Sequence, residues 1–433
     1  MATEHAQDEH AQDLLAFVDA GPSPYHVVAE MARRLEAAGF TRVAEADRWA
    51  LSAGDARYVV RDGGSLAAFR VGTDPPSEHG FRLVGAHTDS PTLKVRPRPD
   101  VRRHGYVQVG VEPYGGILAH TWLDRDLTLA GRAGVRQPDG TLTTRLVHLP
   151  DAPLRIPSLA IHLHREVRDE GLRLDPQRHL VPLWSRDGHG RRLAATLGAH
   201  LGVEADAILG VDLVTADTQP AARGGADGAF LLAPRLDNLA SCHAGLTALT
   251  DVTAVAATQV LVANDHEEVG SASAEGAAGS FLTDVLQRIV SVCEGPDPEA
   301  HARARARSLM ISADTAHAVH PNYADRHEPE HRPLLGGGPV LKVNANQAYA
   351  TDAGSGAWFA ARCADAGVDL QHFVTRADLP CGSTIGPLTA TRTGIATVDV
   401  GSPLLSMHSI REQAAVADVA PMVAALRAHL EAP

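Results

Sequence analysis

At 433 residues the chain exceeds what one hydrophobic core usually supports, so two domains are expected. A net charge of -13 argues against nucleic acid or an anionic membrane surface as partner, since both need clustered cations. The four cysteines are scattered without a Cys-x-x-Cys pair, which indicates neither a zinc ribbon nor a disulfide framework.

The acidic, polar N-terminus does not resemble a secretory leader, and no apolar run reaches the roughly 18–20 residues of a membrane span. A cytoplasmic protein is expected. Basic runs at 94–103 and 303–307 read as solvated arms or helix faces. Lys94 and Lys342 are the only lysines, arginine having replaced lysine elsewhere, so both stand out.

In chain order, residues 11–40 repeat apolar side chains at helical spacing (Leu14, Leu15, Val18, then Val27, Val28, Met31, Leu35), and Gly-Pro-Ser-Pro at 21–24 divides them into two helices. Short strands are predicted at 57–60, 66–71 and 81–86. From about 93 to 224 the texture changes to short alternating segments (106–111, 127–130, 141–148, 159–164) broken by Pro and Gly, the pattern of a β-rich domain. Residues 221–228 read as a linker. Beyond them, strands at 259–263, 308–312 and 395–400 alternate with helices at 238–250, 279–293, 353–367 and 410–430. Alternation of this kind predicts an α/β domain with a sheet covered on both faces. It is built from residues 1–92 and 225–433, with the β-rich domain, 93–224, inserted between.

Chemistry-bearing residues recur where these apolar strands stop: His87 and Asp89, Asp265 to Glu268, Asp314, and His408. In an open α/β sheet, ligands bind at the carboxyl ends of the strands, so these ends are expected to converge. Asp237, before a helix-like segment, would overhang the same place. Each has an ordinary explanation: a surface histidine, an N-cap for Asp237, an acidic turn for Glu267 and Glu268, a turn residue for Asp89. Together they form a nitrogen and oxygen donor set suited to two divalent ions. Asp237 would bridge both, His87 and Asp314 hold one, and Glu268 and His408 the other; three carboxylates and one bridging hydroxide balance two dications. Asp89 is spaced to accept the second N–H of His87. Glu267 remains as the base that takes a proton from the metal-bound water and returns one to a leaving amine. His266 is not assigned as a ligand.

The segments Gly85–Pro91, Arg235–Leu239, Asp265–Ser271, Ser312–Ala318, Pro339–Asn344, Pro380–Pro387 and Met407–Glu412 closely resemble aspartyl aminopeptidases, and the likeness extends from about residue 16 to 429. The resemblance implies a zinc-peptidase-like fold with a mixed, largely parallel sheet, helices on both faces and an inserted dimerisation domain. It implies removal of N-terminal Asp or Glu from peptides by a binuclear centre, most often Zn²⁺, with Mn²⁺ or Co²⁺ as substitutes. It further implies a homo-oligomer: a tetrahedral dodecamer built from dimers. Lys342 resembles the lysine that recognises the acidic side chain, and Tyr349 a tyrosine that stabilises the oxyanion. His162 is expected to reach a partner subunit's site, with His162 and His164 on one face of a strand and Ile161 and Leu163 on the other. His317 and the loop Gly382, Ser383, Thr384 are expected to line the substrate pocket. A related binuclear metallopeptidase or deacylase of other specificity is the alternative enzyme. A non-catalytic scaffold is disfavoured by the spare carboxylate of Glu267.

Overall fold

The structure, a computed structural model, describes residues 2–151, 153–188 and 192–433. Met1, at the head of the polar N-terminal stretch, and residues 152 and 189–191 of the inserted segment lie outside them. A nine-stranded sheet forms the larger body, in the order 41–42, 56–61, 65–70, 258–264, 81–87, 309–313, 396–401, 340–343, 371–374. It is mixed: 81–87, 258–264, 309–313 and 396–401 run parallel, while 65–70 and 340–343 join antiparallel to this group.

Strand alternation sends successive apolar side chains to opposite faces, and both faces are buried. Val84, Leu261, Ile311 and Val398 pack against helices Ala2–Ala20, Pro24–Ala37, Leu236–Asp251 and Val419–Leu430 through Phe17, Leu35, Leu239 and Leu426. Leu83, Val260, Val262 and Met310 face the other layer, where Phe281, Leu286, Ile289 and Ile385 project from helices Phe281–Glu294 and Ile385–Thr393. Each such side chain contributes on the order of 1.5–3 kcal/mol by leaving water. No helix among the described residues is long and apolar enough to cross a membrane.

A second sheet runs 208–217, 92–103, 106–114, 183–186, 154–155, 126–136, 142–148, and 208–217 also pairs with 126–136, closing it into a barrel. Leu93, Val109, Leu129, Val147 and Leu213 fill it, helix Leu193–Leu201 contributes Leu197, and Ile410 enters from the larger body.

Three expected elements differ. Segment 159–164 is not a strand. It follows Pro157, forms a 3-10 turn at Ile161–Leu163, and leaves Leu159, Ile161 and Leu163 exposed, so its alternation matches no buried face. Residues 221–228 are a hairpin rather than a linker, with Ala222–Gly224 pairing with Phe230–Ala233. The helix expected from 410 begins only at Val419, because Glu412–Ala415 pairs with Phe230–Ala233 as a strand. Helices Pro298–Ala306 and Ile385–Thr393 and strands Val340–Val343 and Gln371–Val374 carry too short a pattern to be read from sequence.

Candidate metal centre

Parallel pairing brings four strand ends to one edge of the sheet. His87 is the last residue of its fully buried strand. Glu267 and Glu268 lie on a 3-10 turn past Asn264, and Asp314 directly follows Ala313. His408 sits on the loop between Pro403–Leu404 and Glu412–Ala415. Asp237 opens helix Leu236–Asp251 in a non-helical conformation and makes no cap, so its carboxylate is free to face the same edge.

His87 Nε2 lies 3.4 Å from Asp237 Oδ1 and 3.5 Å from Asp314 Oδ1. His408 Nε2 lies 3.5 Å from Asp237 Oδ2 and 3.4 Å from Glu268 Oε2. Asp237 therefore offers one oxygen to each of two donor groups. Donor atoms of His87, Asp237 and Glu268 fall within 4.8 Å of one another. Buried oxygens of Asp237 (Oδ1), Glu268 (Oε1) and Asp314 (Oδ1) receive no hydrogen bond. Buried carboxylate oxygens without donors are costly, and this donor set fits divalent ions of the Zn²⁺ class.

Both imidazoles are oriented from behind. His87 Nδ1 faces Asp89, 3.1 Å from its backbone carbonyl and 3.3 Å from Oδ1. Asp89 also accepts the Tyr114 hydroxyl at 2.7 Å and the backbone N–H groups of Glu267 and Glu268 at 3.1 Å each. His408 Nδ1–H donates to the Gly116 carbonyl at 3.1 Å. Bonds of this kind fix tautomer and ring direction, leaving each Nε2 lone pair turned to the centre. Glu412 accepts the backbone N–H of Asp237 at 2.9 Å and of His408 at 2.7 Å.

The crowded negative charge shapes the titration. Burial pushes the Glu267 carboxyl up to about 7; His87 opposes the shift, while Asp314, Asp89 and Asp237 reinforce it. Burial, aided by Asp237, pushes Glu412 up to about 8. Asp237 itself is held well below the usual carboxylate range, burial being outweighed by hydrogen bonds to His408 and His87.

The cleft over this edge, of about 1060 Å³, is lined by Glu267, Lys342, Tyr349, His317 and the Gly382–Thr384 loop as well as by the ligand cluster. Lys342 is 1% exposed, with Nζ 3.5 Å from Asp314 Oδ2, 3.2 Å from the Thr315 carbonyl and 5.1 Å from the Tyr349 ring centre. His317 is solvent-accessible within the cleft, its ring 5.7 Å from that of Phe373. The dense cleft walls around the ring, which partly desolvate it although its edge reaches solvent, and the neighbouring Lys342 cation hold the His317 imidazole below its ordinary range. His266 turns to Ser273 Oγ at 2.8 Å, away from the cluster. His162 is exposed on the 3-10 turn of the barrel domain and is not among the residues lining this cleft. Lys94 pairs with Asp212 at 3.4 Å in a cavity between the two bodies.

Glu412, Tyr114 and Gly116 hold the cluster in place, and strand-end reasoning missed them. Nothing local marks Tyr114 or Gly116.

The family model of aminopeptidase I zinc metalloproteases (M18) matches residues 17–430. A probable M18 family aminopeptidase 2 from Streptomyces avermitilis is 52% identical over 430 residues, covering 98% of each chain. A protein of the same description from Pseudomonas paraeruginosa is 48% identical, covering 96% of this chain and 97% of its own. Among solved structures, an Ape4 and Nbr1 complex aligns with a TM-score of 0.95 at 36% identity, covering 98% of this chain and 86% of that one. The S. cerevisiae mApe1 dodecamer aligns with a TM-score of 0.85 at 29% identity, covering 98% and 96%.

Proposed function

The chain belongs to the M18 family of zinc metalloproteases, the aminopeptidase I family, and from that premise we propose that it removes N-terminal Asp or Glu from peptides. The observation that carries the acidic preference is Lys342, a cation buried in the cleft wall beside the ligand cluster. An ammonium group held there, out of bulk water, rewards a substrate carboxylate far more than a surface lysine would. In a chain with only two lysines, the position is not explained by composition.

In this reading His87 and Asp314 would hold one divalent ion and Glu268 and His408 a second, with Asp237 offering an oxygen to each. Bound ions of this class polarise the scissile carbonyl, hold the substrate's α-amine and make water acidic enough to be deprotonated near neutral pH. Glu267 would take a proton from the attacking water on its carboxylate and pass one to the departing amide nitrogen, which leaves as an amine. Tyr349 presents its hydroxyl to the developing oxyanion, and Lys342 pairs with the carboxylate of the first residue. His317 and the Gly382–Thr384 loop shape the pocket around that side chain.

The active assembly in this reading is a cytoplasmic tetrahedral dodecamer built from dimers, in which His162 completes a neighbour's cleft. Two facts support it: His162 is exposed on an apolar loop of the inserted 93–224 domain, and a relative has been solved as a dodecamer. A panel of aminoacyl substrates, assayed on metal-stripped enzyme reloaded with Zn²⁺, Mn²⁺ or Co²⁺, tests the whole reading. Preferred turnover of Leu or Ala substrates would replace it with a broad aminopeptidase, and none at all with a scaffold.

A further inference from the structure

Behind the substrate wall lies a buried carboxylate with no part in the ligand cluster. Asp399 is fully buried in strand Ala396–Gly401. Its Oδ1 accepts the Thr384 hydroxyl at 2.6 Å, and its Oδ2 accepts the Ala350 backbone N–H at 2.6 Å, next to Tyr349. Its own backbone N–H donates to Thr351 Oγ1 at 2.9 Å. Antiparallel register pairs Val340 with Gly401 and Leu341 with Val400, so the next pair along sets Lys342 beside Asp399. Burial raises the Asp399 carboxyl, while the Lys342 charge pulls it back toward ionisation. Gly386 packs flat on the carboxylate: a Cβ there would lie 2.3 Å from Oδ2 and 2.4 Å from Oδ1. The three features of the proposed acid pocket thus share one internal anchor: the loop ending in Thr384, the segment after Tyr349, and the lysine.

We propose that Asp399 is a positioning residue that ties the Gly382–Thr384 loop and Tyr349 to one strand and so sets the pocket that Lys342 offers to an acidic side chain. The link to substrate choice rests on the aminopeptidase reading above; the tether does not. Asparagine is nearly isosteric at Asp399 but removes the charge and places an N–H₂ donor where one acceptor oxygen was. Thr384→Val cuts the bond to Asp399 together with the cap that Thr384 Oγ1 gives the Gly386 N–H at 3.3 Å, whereas Thr384→Ser keeps the hydroxyl for both.

Cys381 reports on the loop directly. It is partly buried at the loop's start, where its Sγ accepts the Thr375 hydroxyl at 3.1 Å, and exposed Cys293 serves as the internal reference. Iodoacetamide labelling, read residue by residue by mass spectrometry, should modify Cys381 roughly fivefold faster in Asp399→Asn and Thr384→Val, the weight of one lost hydrogen bond. Cys293 should label at the wild-type rate in every variant, and Cys381 should do so in Thr384→Ser. In parallel, kcat/KM for an Asp substrate over that for an Ala substrate should fall about tenfold in Asp399→Asn, as for a lost charge-assisted bond. Wild-type Cys381 labelling in both variants overturns the tether whatever the enzyme cleaves. Faster labelling with an undiminished Asp-over-Ala ratio overturns the link to specificity. A wild-type enzyme without acidic preference sinks the functional reading, and the labelling result still decides the tether. Should Asp399→Asn not fold, the Thr384 pair decides both points.

Discussion

Replacing Lys342 with leucine separates substrate recognition from the chemistry beside it. The ammonium group lies 3.5 Å from Asp314 Oδ2, and at an effective dielectric constant near 20 that pair interacts by about 5 kcal/mol. Its removal alters the charge around Asp314 whichever substrate is present, so any change of metal affinity or of chemistry falls on all substrates alike. An acidic substrate suffers an added loss, because its carboxylate enters the wall unpaired. Truncating one partner of a buried charge pair costs about 2–5 kcal/mol, which is roughly 30-fold to a few thousand-fold in kcat/KM. The measurement is the ratio of kcat/KM for Asp and Glu substrates to that for Ala and Leu substrates, on wild type and Lys342→Leu at matched metal content. The acidic ratio should fall by at least about 30-fold. A proportionate loss on every substrate would refute the assignment and leave Lys342 as a structural partner of Asp314.

Glu267→Gln should retain both metals by elemental analysis yet lose about 10²–10⁴-fold in kcat, the range for a positioned acid–base group; near wild-type turnover would remove Glu267 as the base. Gly116→Ala puts a Cβ 3.2 Å from His408 Nδ1, displacing the ring from the carbonyl that orients it. Metal affinity should drop about 10–100-fold, with one ion lost before the other on titration with a chelator; unchanged affinity would show that the orienting bond is dispensable. The metal-free protein should lose stability as pH rises from about 7 to 8, above the range where buried histidines held below their ordinary value, such as His26 and His429, give the opposite slope. Glu267 and Glu412, pushed up to about 7 and 8, and His87, raised well above its ordinary value, keep protons in the folded state that the unfolded chain has released. The metal-loaded protein should gain stability over the same window, because the ligands must shed those protons to bind. Thermal melts with and without chelator give the two slopes, and a metal-free melting temperature that climbs with pH contradicts the charge assignment.

Much of the site was legible because strands and ligands obey one rule. An apolar run that ends in His87, Asp314 or the Asp265–Glu268 cluster puts its last residue at the sheet edge, and parallel pairing gathers such edges. Asp237 was legible only as a residue ahead of a helix, and its departure from helical geometry had no local signature. Segment 159–164 misled because alternation of apolar and polar residues marks a strand only when one face has something to pack on. Residues 410–418 misled in the opposite sense. Their apolar periodicity continues into a true helix, but Glu412 is held back in a strand with its carboxylate under the backbone of Asp237 and His408.

The largest illegible element is the debt the metal centre owes to the barrel domain. Asp237, Glu268 and Asp314 come from the nine-stranded body, yet three residues of the barrel strand and its exit brace the site. Tyr114 supports Asp89 behind His87, Gly115 approaches Glu268 Cβ so closely that an added Cβ would lie at 3.1 Å, and Gly116 receives the Nδ1–H of His408. Ile410, two residues past His408, buries its side chain in the barrel core. These contacts couple sequence positions nearly three hundred residues apart, as His408 and Gly116 are, so no local pattern encodes them. Glu268 and His408 meet the barrel directly at Gly115 and Gly116, His87 meets it only through Asp89, and Asp237 and Asp314 are placed by the nine-stranded body. A chain with the barrel loosened at Ile410, for example by Ile410→Ala, should therefore surrender the ion on the His408 side first and keep the other.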